Sequence, residues 1–100
     1  MYSFVQTYYA MPGRLPELLA LCKEGVAIAK RLGDGDEATV ATRIGGKFSE
    51  VIVFWQGPSL DENQELTDKL AQNAEFRAIY AKIVPLIVPN VSGTSIYKHV

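Results

Sequence analysis

The run Val51-Ile52-Val53-Phe54-Trp55 constrains this chain more than any other feature. Its β-branched and aromatic residues favour a strand. Successive side chains of a strand point to opposite faces. A sheet with one wet face would alternate apolar and polar residues along the run. Here both faces are apolar, so both need a cover. Helices from the same chain can supply one. A second sheet, from another copy of the chain, is the economical source of the other.

The rest of the sequence arranges itself around that strand. Residues 4 to 11 are aromatic and β-branched and predict a first strand, which Pro12-Gly13 ends. Leu15, Leu18, Leu19, Cys22, Val26 and Ala29 then fall on one helical face. Pro16 suits a first helical turn, Lys30 and Arg31 suit a last one, and Gly33 suits the position after the C-cap. The spacing predicts a helix over 15–32. "GDGDE" (33–37) reads as a solvated turn. "EATVATRIGG" (37–46) and "SEVIVFWQG" (49–57) read as two strands joined by "GGKFS" as a hairpin connection.

Ser59 and Glu62 have the spacing of a capping box and open a second helix, with Leu60, Leu66 and Leu70 facing inward. Asn73 marks a break and a new N-cap. Phe76, Ile79, Tyr80, Ile83 and Val84 form the next stripe, which Pro85 and Pro89 close. "TSIYKHV" (94–100) ends the chain as a strand with Ser95, Tyr97 and His99 on one face. The order β-α-β-β-α-β is the ferredoxin-like arrangement, an α+β fold with a four-stranded antiparallel sheet. One hundred residues predict a single domain over 1–100.

Composition narrows the function classes. Ten basic residues face eleven acidic ones, with no basic stripe, which argues against nucleic acid as a partner. A hydrophobic share of 48% argues against disorder. One cysteine, Cys22, allows no intrachain disulfide and fits a reducing compartment. It reads as a small buried hydrophobe. No apolar run approaches the ~20 residues of a membrane span, and the N-terminus does not read as a signal peptide. The expectation is a cytoplasmic protein without a membrane partner. One histidine and one cysteine give no metal-ligand spacing, so neither a metal nor a cofactor is expected. "RIGG" has no helix after it and makes no phosphate loop.

The candidate chemistry rests on few residues. His99 could act as a general base or as an axial haem ligand. The plainer reading is a half-exposed residue at a fraying strand end. Tyr8 and Tyr9 are adjacent and so point to opposite faces. Arg43 could hold a carboxylate ligand, or pair with Glu50 or Asp61 at the surface. Gln6, Tyr8, Thr42, Trp55 and Tyr97 are the ligand-binding candidates, with His99 and Tyr8 as weak catalytic ones. Against each stands simple packing, since aromatic side chains dominate cores and interfaces.

Three phrases carry a family resemblance: "QTYYAMPGRLPELL" (6–19), "VIVFWQGPSLDE" (51–62) and "NAEFRAIYAKIVPLI" (73–87). They resemble the dimeric α/β-barrel superfamily and, within it, NIPSNAP-like proteins. Tyr8 matches the family's strand tyrosine, Pro12-Gly13-Arg14 its turn and Trp55 its tryptophan. Gln6 stands where the family has an arginine, and "NAEF" lacks the family's proline. The resemblance implies a homodimer whose two sheets face each other as a barrel. It also places Tyr8 and Gln6 together at a cavity. Superfamily members include cofactor-independent monooxygenases, haem-degrading enzymes, chlorite-dismutase-like proteins and proteins of no known activity, so the fold does not select a reaction. Two functional expectations follow. One is a protein that binds a small apolar or aromatic molecule without catalysis. The alternative is a cofactor-independent monooxygenase or isomerase acting on an enolisable ring, with His99 as its base.

Overall fold

The computed structural model describes residues 1–33, 38–46 and 49–100. Most of the "GDGDE" turn and the centre of the hairpin connection lie outside the described residues. The elements follow the order β1 (Tyr2–Tyr9), α1 (Leu15–Leu32), β2 (Thr39–Thr42), β3 (Glu50–Gly57), α2 (Leu60–Gln72), α3 (Ala74–Ile83), a 3-10 turn (Val84–Leu86) and β4 (Gly93–Lys98). The strands form one antiparallel sheet in the order β2-β3-β1-β4. This is the ferredoxin-like α+β fold that the element order predicts.

The elements differ from expectation mainly at their ends. β1 starts at Tyr2, two residues early, because its first residues pair with Gly57 and Gln56 of β3 and with Lys98 and Tyr97 of β4. Of the nine described residues of its predicted run, β2 keeps four. Gly45 and Gly46 there have φ of 89° and 88°, a backbone that glycine adopts without strain and that cannot continue a strand. Gly13, with φ of 78°, likewise turns the chain from β1 into α1.

Register fixes which side chains face the helices. Phe4 pairs with Trp55, Gln6 with Val53 and Tyr8 with Val51, and these point toward the helical layer. Val5 pairs with Phe54 and Thr7 with Ile52, and these point away from it. Phe4, Leu18 and Val51 are fully buried, with Cys22, Ile28, Ile79 and Ile83 around them. Helix 1 therefore buries Gly25 and Ile28 in addition to the predicted Leu18 and Cys22. Leu60, Tyr80 and Val84 were expected inside and are about half exposed: Leu60 is the first residue of α2, Val84 opens the 3-10 turn, and Tyr80 borders a partly open space between helices and sheet.

The helices cover one face only. The molecule measures 36 × 35 × 22 Å, and its thin dimension holds one sheet and one helical layer. The opposite face carries Val5, Ile52, Phe54 and Tyr97. Phe54 is 37% exposed and Tyr97 59% exposed. β4 is exposed along its whole length.

Two caps separate α2 from its neighbours as the sequence predicts. The Glu62 amide donates to Ser59 Oγ at 3.0 Å, and the Phe76 amide donates to Asn73 Oδ1 at 2.8 Å. Asn73 also ends α2, so its side chain sets the angle at which α3 begins. Asn73→Ala should lower stability by ~1 kcal/mol, read as a lower urea midpoint at unchanged slope.

Candidate functional site

Helices α1, α2 and α3 do not close fully on the sheet. A partly open cavity of about 160 Å³ lies between them. Gln6, Tyr8, Val53 and Trp55 form its floor on β1 and β3. Cys22, Gly25 and Val26 of α1, Leu66 and Leu70 of α2, and Phe76 and Tyr80 of α3 form its walls. Helix α3 passes close to α1 at Gly25. A Cβ built there would lie 3.5 Å from Phe76 Cε2, which is ordinary contact.

The polar groups at the cavity are few and mostly committed. The Trp55 indole N–H donates to Asn63 Oδ1 at 2.8 Å, which leaves its ring as an apolar surface. That ring stacks on Phe4 with centroids 5.7 Å apart. The Thr94 hydroxyl donates to Gln6 Oε1. The Tyr8 hydroxyl lies near the Cys22 thiol and the Tyr80 hydroxyl. Burial first, then these neighbours, push the Tyr8 pKa well above the usual tyrosine range. Burial pushes the Cys22 thiol up to about 11 from 9.0. Both groups are therefore neutral at physiological pH.

The raised thiol makes stability depend on pH in one direction. Between about pH 9 and pH 11 the folded chain keeps a proton that the unfolded chain releases. Stability should be unaffected by this group below pH 9 and fall as pH rises through that window. Urea midpoints of wild type and Cys22→Ala compared at pH 8 and at about pH 11 should show the steeper loss in wild type.

The structure brings Gln6, Tyr8 and Trp55 together at one cavity and leaves the other candidates elsewhere. Thr42 donates to the Glu50 carbonyl at 2.8 Å on the outer part of the sheet. Tyr97 pairs with Ser3 on the open face. His99 is also on that face, where its Nε2 lies 2.7 Å from Ser3 Oγ and its amide donates to the Met1 carbonyl. His99 and Tyr8 are thus on opposite sides of the sheet, and the chain does not assemble them into one site. Arg43 pairs with Glu50 at 3.3 Å, the surface fate expected of it. Among the described residues no three His, Cys, Asp or Glu side chains cluster at metal-binding distances. Gly25, Phe76 and Tyr80 are cavity residues that sequence reasoning treated as packing or passed over. The signal for them was the Phe76–Tyr80 spacing of four, which puts two aromatic rings on one face of α3.

A model of the NIPSNAP family matches residues 2–97. The chain belongs to the NIPSNAP family. Solved structures agree. A NIPSNAP family protein from Agrobacterium tumefaciens is 26% identical, with a TM-score of 0.83, 99% of this chain covered and 92% of the other. An uncharacterised NIPSNAP domain protein from Burkholderia xenovorans is 19% identical, with a TM-score of 0.82 and coverage of 100% and 95%. A protein provisionally described as an antibiotic biosynthesis monooxygenase, from Nitrosomonas europaea, is only 7% identical but has a TM-score of 0.78 and coverage of 100% and 99%. That likeness shows the fold, which is of the dimeric α/β-barrel type. Among curated proteins no match to this NIPSNAP-family chain was found. Among the described residues no helix is long and apolar enough to cross a membrane.

Proposed function

We propose that this NIPSNAP-family protein binds a small apolar or aromatic molecule in the cavity between its sheet and helices, and that it does so as a homodimer. The observation that carries the binding role is the cavity itself: about 160 Å³, partly open, lined mostly by apolar side chains from five elements and supplied with a few convergent polar groups. A well-packed domain of this size leaves no space on that scale without cause. The homodimer is supported by the second, open sheet face with its exposed Phe54 and Tyr97. A second copy packed sheet to sheet would cover it.

The cytoplasm remains the expected location. Catalysis by a His99 base draws no support from the geometry within one chain, since the His99 ring sits at Ser3 on the open face. The oxygenase or isomerase alternative would need His99→Ala and Tyr8→Phe each to abolish turnover while leaving assembly intact.

The binding role is tested by titrating isotope-labelled protein with ethylbenzene and following backbone amide shifts. Saturable shifts at Gly25, Phe76 and Tyr80 are expected. Gly25→Leu places a bulky side chain against Phe76 inside the cavity. It should weaken binding about tenfold, a loss of about 1.4 kcal/mol. No saturable shift in the wild type up to the solubility limit would remove the proposal.

A further inference from the structure

We infer that the cavity selects a neutral, single-ring molecule bearing a carbonyl acceptor and rejects the corresponding carboxylate. The inference rests on the binding role proposed above and names the chemistry of the ligand.

Charge comes first. None of the described lining residues carries a formal charge. A carboxylate entering the cavity would shed water and meet no cation. Burying an unpaired charge costs far more than one hydrogen bond returns. A neutral molecule meets no such penalty.

The free polar groups then set the sign of the hydrogen bond. Trp55 has already donated its N–H to Asn63, and Gln6 Oε1 already accepts from Thr94. The floor and the α1 wall still offer three hydrogens to an acceptor on the ligand: the Tyr8 O–H, the Gln6 amide N–H and the Cys22 S–H. Burial keeps the first and last of these protonated well above neutral pH. A ketone or aldehyde oxygen accepts such hydrogens without bringing a donor that needs a partner of its own. Size sets the rest. An apolar cavity of about 150 Å³ holds one benzene ring. The cavity here is of that size, and its open side leaves room for a substituent. Trp55 and Phe76 supply aromatic surface against which a planar ring can pack.

The experiment uses three probes with one skeleton: ethylbenzene, acetophenone and benzoate, each titrated into labelled wild-type protein at pH 7. Acetophenone should bind several-fold more tightly than ethylbenzene and at least tenfold more tightly than benzoate, with shifts centred on Gly25, Phe76 and Tyr80. Tyr8→Phe removes one hydroxyl and nearly preserves volume. It should bring the acetophenone-to-ethylbenzene affinity ratio down two- to tenfold, toward one. Benzoate binding as tightly as acetophenone overturns the inference and leaves the binding role standing. So does an acetophenone-to-ethylbenzene ratio of one in the wild type, or a ratio unmoved by Tyr8→Phe. Failure of all three probes to shift the cavity amides overturns both.

Discussion

Ile52→Arg is expected to convert a particle of twice the 11.0 kDa chain mass into single chains. Ile52 lies on β3, an inner strand of the sheet, and points away from the helices. Its cross-strand neighbours on that side are Thr7 and Ala41, with Phe54 two residues along. Sheets packed face to face lie about 10 Å apart, so a second copy would seal this position in the middle of the interface. A guanidinium held there without a partner would cost several kcal/mol. At about 1.4 kcal/mol per factor of ten, the dissociation constant should rise at least ~100-fold. The substitution does not touch Val51 or Val53, which face the helices, so the monomer should keep its secondary structure by circular dichroism. Sedimentation equilibrium at micromolar concentration decides the matter. A wild-type mass near 11 kDa would remove the homodimer, and a dimer unmoved by Ile52→Arg would remove the sheet-to-sheet interface.

The apolar pattern of β3 marks that face in the sequence alone. Periodicity does the same for the rest of the fold. Leu15–Leu32 forms as the spacing of its leucines and its terminal Pro16 and Gly33 predict. Asn73 divides two helices because its side chain can close the first turn of α3 while its backbone leaves the helical region, with φ of −82° and ψ of 119°. These are local signals, written within a few residues of where they act. β2 was misjudged for the same reason in reverse. Whether a run pairs depends on a partner strand, and only Thr39–Thr42 pair with β3.

The site was less legible because it is made of distances between elements. Alternation along β1 settled that Tyr8 and Tyr9 part company, and the family resemblance favoured Tyr8 for the cavity. It could not say that Tyr97 would pair with Ser3 and so face the other way, since that follows from the register of β4 against β1. His99 shares the fate of Tyr97, two residues on. Of the cavity walls, Phe76 and Tyr80 had a sequence signal in their spacing of four, and the others had none. Gly25 matters because α3 passes close to it, and Leu66 and Leu70 because α2 faces the space between the helices and the sheet. Neither is a property of the local sequence.

The largest loss of stability is expected from Leu18→Ala. Leu18 is fully buried in the first turns of α1, in one cluster with Val51, Cys22 and Ile83. Three elements meet there, so the surrounding side chains have little freedom to collapse into the space left behind. A buried Leu→Ala change costs ~2–5 kcal/mol, the sum of lost apolar burial and the residual void. Against a typical domain stability of about 5–15 kcal/mol, that removes about a third at the middle of both ranges. At roughly 4–8 °C per kcal/mol for a chain of this length, the melting midpoint should fall by at least about 8 °C. Leu60→Ala supplies the contrast. The same side chain is removed, but Leu60 is 47% exposed at the start of α2. Its cost should stay near 0.5 kcal/mol, the scale of ordinary surface changes. If the two variants unfolded at the same urea concentration, the core could not be centred where α1 crosses β3, and the cavity beside it would lose the rigid wall on which its selectivity depends.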